Sequence, residues 1–322
     1  MTEELYLKHV FIVNPAAGSS NHYDSINKAI TECNHKFDYE FYETKGPMDA
    51  VTFVREYCRK YTDPVRFYAC GGDGTLNEVV NGIVGFENAE IACVPTGSGN
   101  DFVKYYGAKE EFMNIANSIE GTPFTIDLLK IGDRYSINVI NFGFDSVVAD
   151  TIAKVKRKKF IGGKRSYTTG IVKGLISGMK SRCVVKVDGE ALNNEKMLLC
   201  TVANGSHVGG SFNCAPRSRN DDGLAEVTLF KPLSRITFAK LVGVYEKGQH
   251  LDDPRFNKYI TYRRGNVIEC ESPDQKFLVS VDGEMVDTNK FTIEVVPNAV
   301  KFVVPKTLVK AAEEKSADAA AV

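Results

Sequence analysis

The sequence predicts an α/β fold: an N-terminal domain built on a parallel sheet, followed by a β-rich domain of antiparallel, sandwich-like character. Three observations predict it. Short apolar runs alternate with helical patterns across residues 1–125. From residue 126 the rhythm changes to closely spaced strand patterns with few helices. The length, 322 residues, corresponds to two domains at ~150 residues each. The expected domains are residues 1–125 and 126–306, with a strand at 297–306 free to return to the first sheet. The Ala-rich end, 307–322, is expected to be a disordered tail.

The elements follow in order. Residues 10–13 read as a buried strand ending in the turn signal Asn14-Pro15. Residues 37–42 are a second strand, and 51–61 a helix stopped ahead of Pro64. Residues 65–70 and 91–94 are the next strands, the latter closed by Pro95. Strands separated by helices pair in parallel, because a parallel connection needs a crossover. Residues 124–131 and 135–141 read as a hairpin around Gly132-Asp133. Strand patterns recur at 184–187, 197–202, 225–230, 267–270, 277–281, 291–296 and 300–304, and helical patterns at 145–159, 165–180 and 234–247.

Composition narrows the function. Forty basic against 41 acidic residues leave a net charge of -1, so there is no chain-wide basic field for nucleic acid. The longest mostly apolar stretch, 197–203, is far short of the ~20 residues of a spanning helix. The N-terminus has no basic region leading into an apolar one, so no secretory signal is expected. The eight cysteines include no C-x-x-C pair, and the five histidines show no zinc spacing. The cysteines read as small buried hydrophobes kept reduced in a cytoplasm.

The richest segment is Cys70-Gly-Gly-Asp-Gly-Thr-Leu-Asn-Glu78. A buried strand delivers the chain to two glycines, and Leu76, Val79, Val80 and Ile83 then follow at helical spacing. Strand, glycine turn and helix N-terminus make an anion site from unpaired N–H groups and the helix dipole. Asp73 puts a carboxylate beside that anion, an arrangement suited to a bridging divalent cation. Thr75 and Glu78 are expected to form a capping box, which accounts for Glu78 without catalysis. A second glycine turn, Pro95-Thr-Gly-Ser-Gly-Asn-Asp-Phe102, also ends a strand. Two such turns at carboxyl ends of parallel strands line one crevice, where open α/β sheets bind ligands.

Asn14-Pro15-Ala-Ala-Gly18, Gly71-Gly-Asp-Gly-Thr75 and Gly97-Ser-Gly-Asn-Asp-Phe102 resemble the diacylglycerol kinase catalytic-domain family, and more closely its compact bacterial members, the diacylglycerol kinase B-like and YegS-like lipid kinases. The likeness continues through Asp127-Leu128, Asn141-Phe-Gly-Phe-Asp145, Asp221-Asp-Gly-Leu224, Gly248-Gln-His250 and Asp282-Gly-Glu284, spanning residues 9–304. Gly-Gly-Asp-Gly-Thr alone is shared with NAD kinases and phosphofructokinases; its combination with the second glycine turn and the late Asp-Gly-Glu is more specific. The resemblance implies ATP- and Mg²⁺-dependent phosphorylation of a lipid hydroxyl, with diacylglycerol, giving phosphatidic acid in phospholipid metabolism, as the leading acceptor. Phosphatidylglycerol, a sphingoid or ceramide-type lipid, or NAD kinase-like chemistry are the alternatives.

By that resemblance Asn14, Thr44, Gly71, Gly72, Asp73, Gly74, Thr75, Leu76, Asn77 and Ser98 fall on nucleotide-contact positions. Asp73 falls on the carboxylate that helps hold catalytic Mg²⁺, with Asp101 and Asp127 in its hydrogen-bond and water network. Glu284 falls on the proton acceptor, a role for which Asp73 is the alternative. Asp222, with the carbonyls of Arg219 and Leu224, falls on a structural Mg²⁺ site. Ser98 stands where Thr is common in the family and keeps the hydroxyl. Read without the resemblance, Asp282-Gly-Glu284 and Asp221-Asp-Gly223 are ordinary acidic turns.

Lys154, Lys156, Arg157, Lys158, Lys159, Lys164 and Arg165 lie within twelve residues with no acid among them, around Phe160-Ile161. Such a cluster suits anionic headgroups and equally a solvated helix face. The expectation is a cytoplasmic protein docking transiently on the inner face of the membrane through Lys156, Arg157, Lys158 and Lys159, with no nucleic acid partner. A homodimer is left open.

Overall fold

The computed structural model describes residues 7–17, 22–32, 37–144, 180–274 and 277–317. The expected helix at 145–159, nearly all of that at 165–180, the basic stretch with Lys156, Arg157, Lys158 and Lys159, and Cys33 lie outside the described residues. The chain divides into two compact units, Met1–Leu128 with Pro297–Val322, and Leu129–Val296.

In the first unit β1 (Lys8–Val13), β2 (Tyr39–Glu43), β3 (Val65–Gly71) and β4 (Ala89–Pro95) pair in parallel in the order β4-β3-β1-β2. The helices α1 (His22–Glu32), α2 (Asp49–Lys60) and α3 (Asp73–Ile83) alternate with them. All of β3 is buried, as a parallel strand covered on both faces must be. Its polar residue, Arg66, is also buried; the guanidinium bonds Glu90 at 2.5 Å and the Ser118 and Ile119 carbonyls at 2.6 and 2.8 Å. A core cluster of Phe11, Val13, Tyr68, Val94 and Val303 joins the strands, with Phe11 stacked on Tyr68 at 4.2 Å.

The runs at 291–296 and 300–304 are not two strands but one, Lys290–Val304, passing through Pro297. Its last part lies parallel beside β4, with Phe302 opposite Ile91. Residues past 306 are not a disordered tail as far as they are described. A 3-10 turn, Lys306–Leu308, leads into a helix, Val309–Ala317. Alanine has the highest helix propensity, Ala312 is buried, and the Lys315 ammonium bonds the Tyr105 carbonyl and lies 4.4 Å from the Tyr105 ring.

The second unit contains an antiparallel sheet whose order is Ile260–Gly265, Ala225–Phe230, Leu199–Ala203, Val139–Gly143, Leu278–Val281, Glu284–Asp287. Against one face, through Phe142, Val227, Leu229 and Val279, pack Val185, Ile268, Cys270 and Ile293 from a second group of strands. The helix Arg235–Glu246, capped by Ser234 accepting from Thr237 N–H, covers part of the other face through Phe238, Leu241 and Tyr245.

The expected hairpin at 124–141 splits. Thr122–Ile131 turns onto Arg134–Ser136, whereas Val139–Gly143 belongs to the six-stranded sheet. The cause is Asp282: its carboxylate accepts the N–H groups of Ile137, Asn138 and Val139 and the Ser136 hydroxyl, at 2.6–3.1 Å, and draws the chain off the ladder.

Candidate active site

The register of the parallel strands levels their carboxyl ends. Val13 lies opposite both Glu43 and Cys70, and Cys70 opposite Val94. Asn14, Thr44, Gly71-Gly72 and Thr96-Gly97 therefore leave the sheet side by side. Backbone bonds fix this edge: Thr44 N–H donates to Val13, Asn14 N–H to Cys70, and the Thr96 and Gly97 N–H groups to Gly71, at 2.9–3.1 Å.

The two glycine turns are clamped together. Asp73, the first residue of α3, accepts the Asn100 N–H on one carboxylate oxygen at 2.7 Å and the Asp101 N–H on the other at 2.6 Å. Gly72 and Gly97 are in backbone contact; a methyl group on Gly97 would stand 2.5 Å from the Gly72 Cα. Gly72 has an ordinary φ of -97, so these glycines serve close approach rather than left-handed backbone. The Asn100 amide donates to the Gly97 carbonyl at 2.6 Å, closing the second turn on itself.

The capping box is not formed. The N-cap of α3 is Gly72, so Thr75 lies inside the helix, buried, where its Oγ1 accepts from the Asn14 amide at 3.0 Å. Glu78 instead accepts the Ala50 N–H, near the start of α2, at 3.3 Å. Asn14 is thus tied to the Gly-Gly-Asp-Gly-Thr segment. Gly74 and Ser98 are exposed at the tips of the two turns, Asn77 is half-buried and Leu76 faces the core. The α3 N-terminus with its dipole stands at this edge, which suits phosphate groups.

Asp127 is 1% exposed and accepts the Asn298 N–H at 2.8 Å. Asp101 pairs with Lys104 at 2.5 Å. Lys104 also donates to the Gly99 carbonyl at 2.9 Å, and Lys109 to the Gly97 carbonyl at 3.4 Å. These two lysines were missed in the sequence; their only signal is their closeness to the second glycine turn. They place positive charge on the glycine turn's flank, where an anion is favoured.

The donor set near Asp73 fits Mg²⁺. A carboxylate has about four acceptor positions, and the clamp takes one on each Asp73 oxygen. Among the described residues no group of three or more His, Cys, Asp and Glu could cage a metal, and Mg²⁺ is commonly held by one or two carboxylates with substrate phosphates. The loop at Asp222 does not fit. One Asp222 oxygen bonds the Arg264 guanidinium and the other accepts the Leu224 N–H at 3.1 Å. A permanent cation already neutralises this carboxylate, and an ion held with the Arg219 and Leu224 carbonyls would face Arg264 across the same oxygens.

Glu284 belongs to the second unit, exposed at the start of Glu284–Asp287 and opposite Val281. Its turn is a two-residue hairpin connection with Asp282 at φ 47 and Gly283 at φ 93. Asp282, through its four bonds, is the anchor that positions this hairpin. The described cysteines are all free and buried; burial pushes the Cys58 thiol up to about 11 and the Cys70 and Cys200 thiols well above their ordinary value, so these three are not nucleophiles at neutral pH. No described helix is long and apolar enough to cross a membrane.

Residues 8–131 match the family described as the diacylglycerol kinase catalytic domain, and residues 138–304 the YegS C-terminal NAD kinase beta sandwich-like domain. The chain belongs to the diacylglycerol kinase family of lipid kinases, in the form that carries a YegS-type second domain. It is 27% identical to the diacylglycerol kinase of Bacillus subtilis over 282 residues, covering 85% of this chain and 88% of that one. A protein of Shewanella frigidimarina named as a YegS-like lipid kinase is 29% identical over 241 residues, 73% of this chain and 75% of the relative. A solved diacylglycerol kinase from Bacillus anthracis shares the fold with a TM-score of 0.68 at 20% identity, covering 94% of this chain and 98% of its own.

Proposed function

We propose that this chain transfers the γ-phosphoryl group of ATP to the hydroxyl of diacylglycerol, forming phosphatidic acid and ADP. The observation that carries the proposal is the Asp73 clamp on the Asn100 and Asp101 N–H groups. It holds two glycine turns and a helix N-terminus at one sheet edge. Phosphoryl transfer relies on positioning and on neutralising the charge of the transferred group, and this edge supplies both.

The exposed Gly74 and Ser98 tips, with Asn14, Thr44 and Asn77, are assigned to the nucleotide. Lys104 and Lys109 support the second turn against the phosphates. Mg²⁺, held by Asp73 with Asp101 and Asp127 in its water network, would neutralise phosphate charge. The acceptor hydroxyl loses its proton to the Glu284 carboxylate as its oxygen bonds to the γ-phosphorus and the bond to the β-phosphate oxygen breaks. Glu284 is exposed and on a hairpin anchored by Asp282, as a group meeting substrate requires. The basic stretch at 154–165 is assigned to anionic bilayers, and reversing Lys156, Arg157, Lys158 and Lys159 to Glu should abolish salt-sensitive vesicle binding.

The test is transfer of radiolabelled γ-phosphate to lipids in mixed micelles, with Mg²⁺, across diacylglycerol, phosphatidylglycerol and sphingoid bases. Diacylglycerol should be labelled best. Labelling of another lipid would reassign the acceptor, and NADP formation without any lipid labelling would refute the reading.

A further inference from the structure

After its last strand the chain runs back over the first unit as the 3-10 turn Lys306–Leu308 and the helix Val309–Ala317. The helix buries Ala312 alone, so it adds little to the apolar core. Two of this segment's side-chain bonds instead reach the elements that leave the second glycine turn. The Lys315 ammonium bonds the Tyr105 carbonyl and lies 4.4 Å from the Tyr105 ring. The Thr307 hydroxyl donates to the Glu111 carboxylate at 2.6 Å. Between them Leu308 packs against the chain at Gly107, where an added methyl group would stand 2.9 Å from the leucine Cδ2.

Both bonds fall beside the lysines that hold the turn. The turn runs straight into the 3-10 helix Phe102–Tyr105, with Asp101 at its N-cap. Lys104 in that helix bonds the Asp101 carboxylate at 2.5 Å and the Gly99 carbonyl at 2.9 Å. Tyr105, held by Lys315, is the next residue. The helix Lys109–Met113 follows. Lys109, its first residue, donates to the Gly97 carbonyl at 3.4 Å, and Glu111, held by Thr307, stands two residues on. Apolar packing fixes the 3-10 helix too: Phe102 and Tyr106 rest on Phe302 at 5.0 and 5.2 Å between ring centroids. Its carbonyl end falls to Lys315, a cation where the last carbonyls of a helix favour one.

Building on the reading of this sheet edge as an ATP phosphate site, we propose that Lys315 and Thr307 are positioning residues for it. They hold Tyr105 and Glu111, and so set where Lys104 and Lys109 fix the Gly99 and Gly97 carbonyls. Gly97-Ser-Gly99 has almost no side chain with which to fix its own backbone. Its shape is therefore imposed from outside, by the Asp73 clamp on Asn100 and Asp101 and by these two lysines. A turn already in shape pays less ordering entropy when a ligand arrives. Loosening the C-terminal segment thus weakens nucleotide binding without removing any group that touches the nucleotide.

The experiment measures ATP affinity by calorimetry, with Mg²⁺ and the full chain, for wild type, Lys315→Met, Lys315→Arg, Thr307→Val and Thr307→Ser. The Met and Val variants should each bind ATP about three- to fivefold more weakly, as residues coupled to a ligand they do not touch do. The Arg and Ser variants, which keep the donor, should bind as wild type does. In the transfer assay the Met and Val variants should raise KM for ATP while kcat and KM for lipid hold. Amide hydrogen exchange should quicken at residues 97–105 as well as in the C-terminal helix. Fraying of that helix alone, with ATP affinity unchanged, would make the segment a surface brace and overturn the proposal. A rise in both KM values with a lower Tm would overturn it too, as would Arg and Ser variants as weak as Met and Val. Wild type that binds ATP with this dependence but labels no lipid would refute the kinase reading and leave the positioning role standing. Lipid labelling with variants equal to wild type would do the reverse.

Discussion

Asp73→Asn separates the clamp from any metal role of this residue. Asn is nearly isosteric but offers one acceptor oxygen, where the carboxylate uses two, on the Asn100 and Asp101 N–H groups at 2.7 and 2.6 Å. One charge-assisted bond, typically about 1.5–3 kcal/mol, is lost outright. The new amide NH₂ also faces a backbone N–H, leaving that donor unpaired in a half-buried site. An expected loss of about 3 kcal/mol follows. For a domain of about 150 residues each kcal/mol moves Tm by about 2–4 °C, so the melting of the first unit should fall by roughly 6–12 °C. The assay is calorimetric melting in EDTA without nucleotide, where neither Mg²⁺ nor ATP contributes. The second unit's transition serves as internal control if the two resolve. A variant that melts like wild type in EDTA would refute the clamp and leave Asp73 only a ligand-facing role.

Three further outcomes follow from the same structure. EDTA should leave the Tm of the second unit unchanged, because Arg264 neutralises Asp222, whereas Arg264→Met should lower stability by about 1–3 kcal/mol; a Tm drop in EDTA would restore the metal site. Burial raises Glu226 to about 8, against the opposing pull of Arg264 and Arg217. It takes up a proton on folding, so its contribution is present below its ordinary value of 4.5 and lost as pH climbs to 8. Glu226→Gln should flatten this part of the Tm–pH curve and be the more stable form at pH 8; parallel curves would contradict the burial argument. Glu284→Gln should keep ATP affinity and cut kcat by ~10²–10⁴, measured by calorimetry and single turnover; near-normal kcat would move the proton-acceptor role to Asp73.

Much of the fold and part of the site were legible in the chain itself. Parallel strands buried on both faces are largely apolar, so β1, β3 and β4 announce themselves by the runs 10–13, 67–70 and 91–94, although Arg66 and Glu90 lie within β3 and β4. A glycine pair after such a run needs a reason, and close backbone approach is what the structure supplies. Boundaries failed where long-range bonds decided them. Asp282 pulls residues 137–139 off a hairpin that local pattern favoured, from 143 or more residues away. Thr75 and Glu78 have the spacing of a capping box, but Asn14 and the α2 N-terminus hold them instead.

Alternation, turn chemistry and the two glycine segments were sufficient by themselves to determine an α/β domain with an anion-binding edge and a β-rich partner domain, because these depend on neighbours within about one element. Only tertiary structure decided the partners. Asp73 clamps the second glycine turn, Arg264 neutralises Asp222, and Asn141, Thr201 and Thr228 stand in one line. In sequence Asn141 and Thr201 are each a single polar residue in an apolar strand and Thr228 shares its strand with Glu226, with nothing to relate the three to one another. Strand register aligns residues sixty positions apart, and register is set by the whole sheet and the burial of its faces rather than by any local pattern.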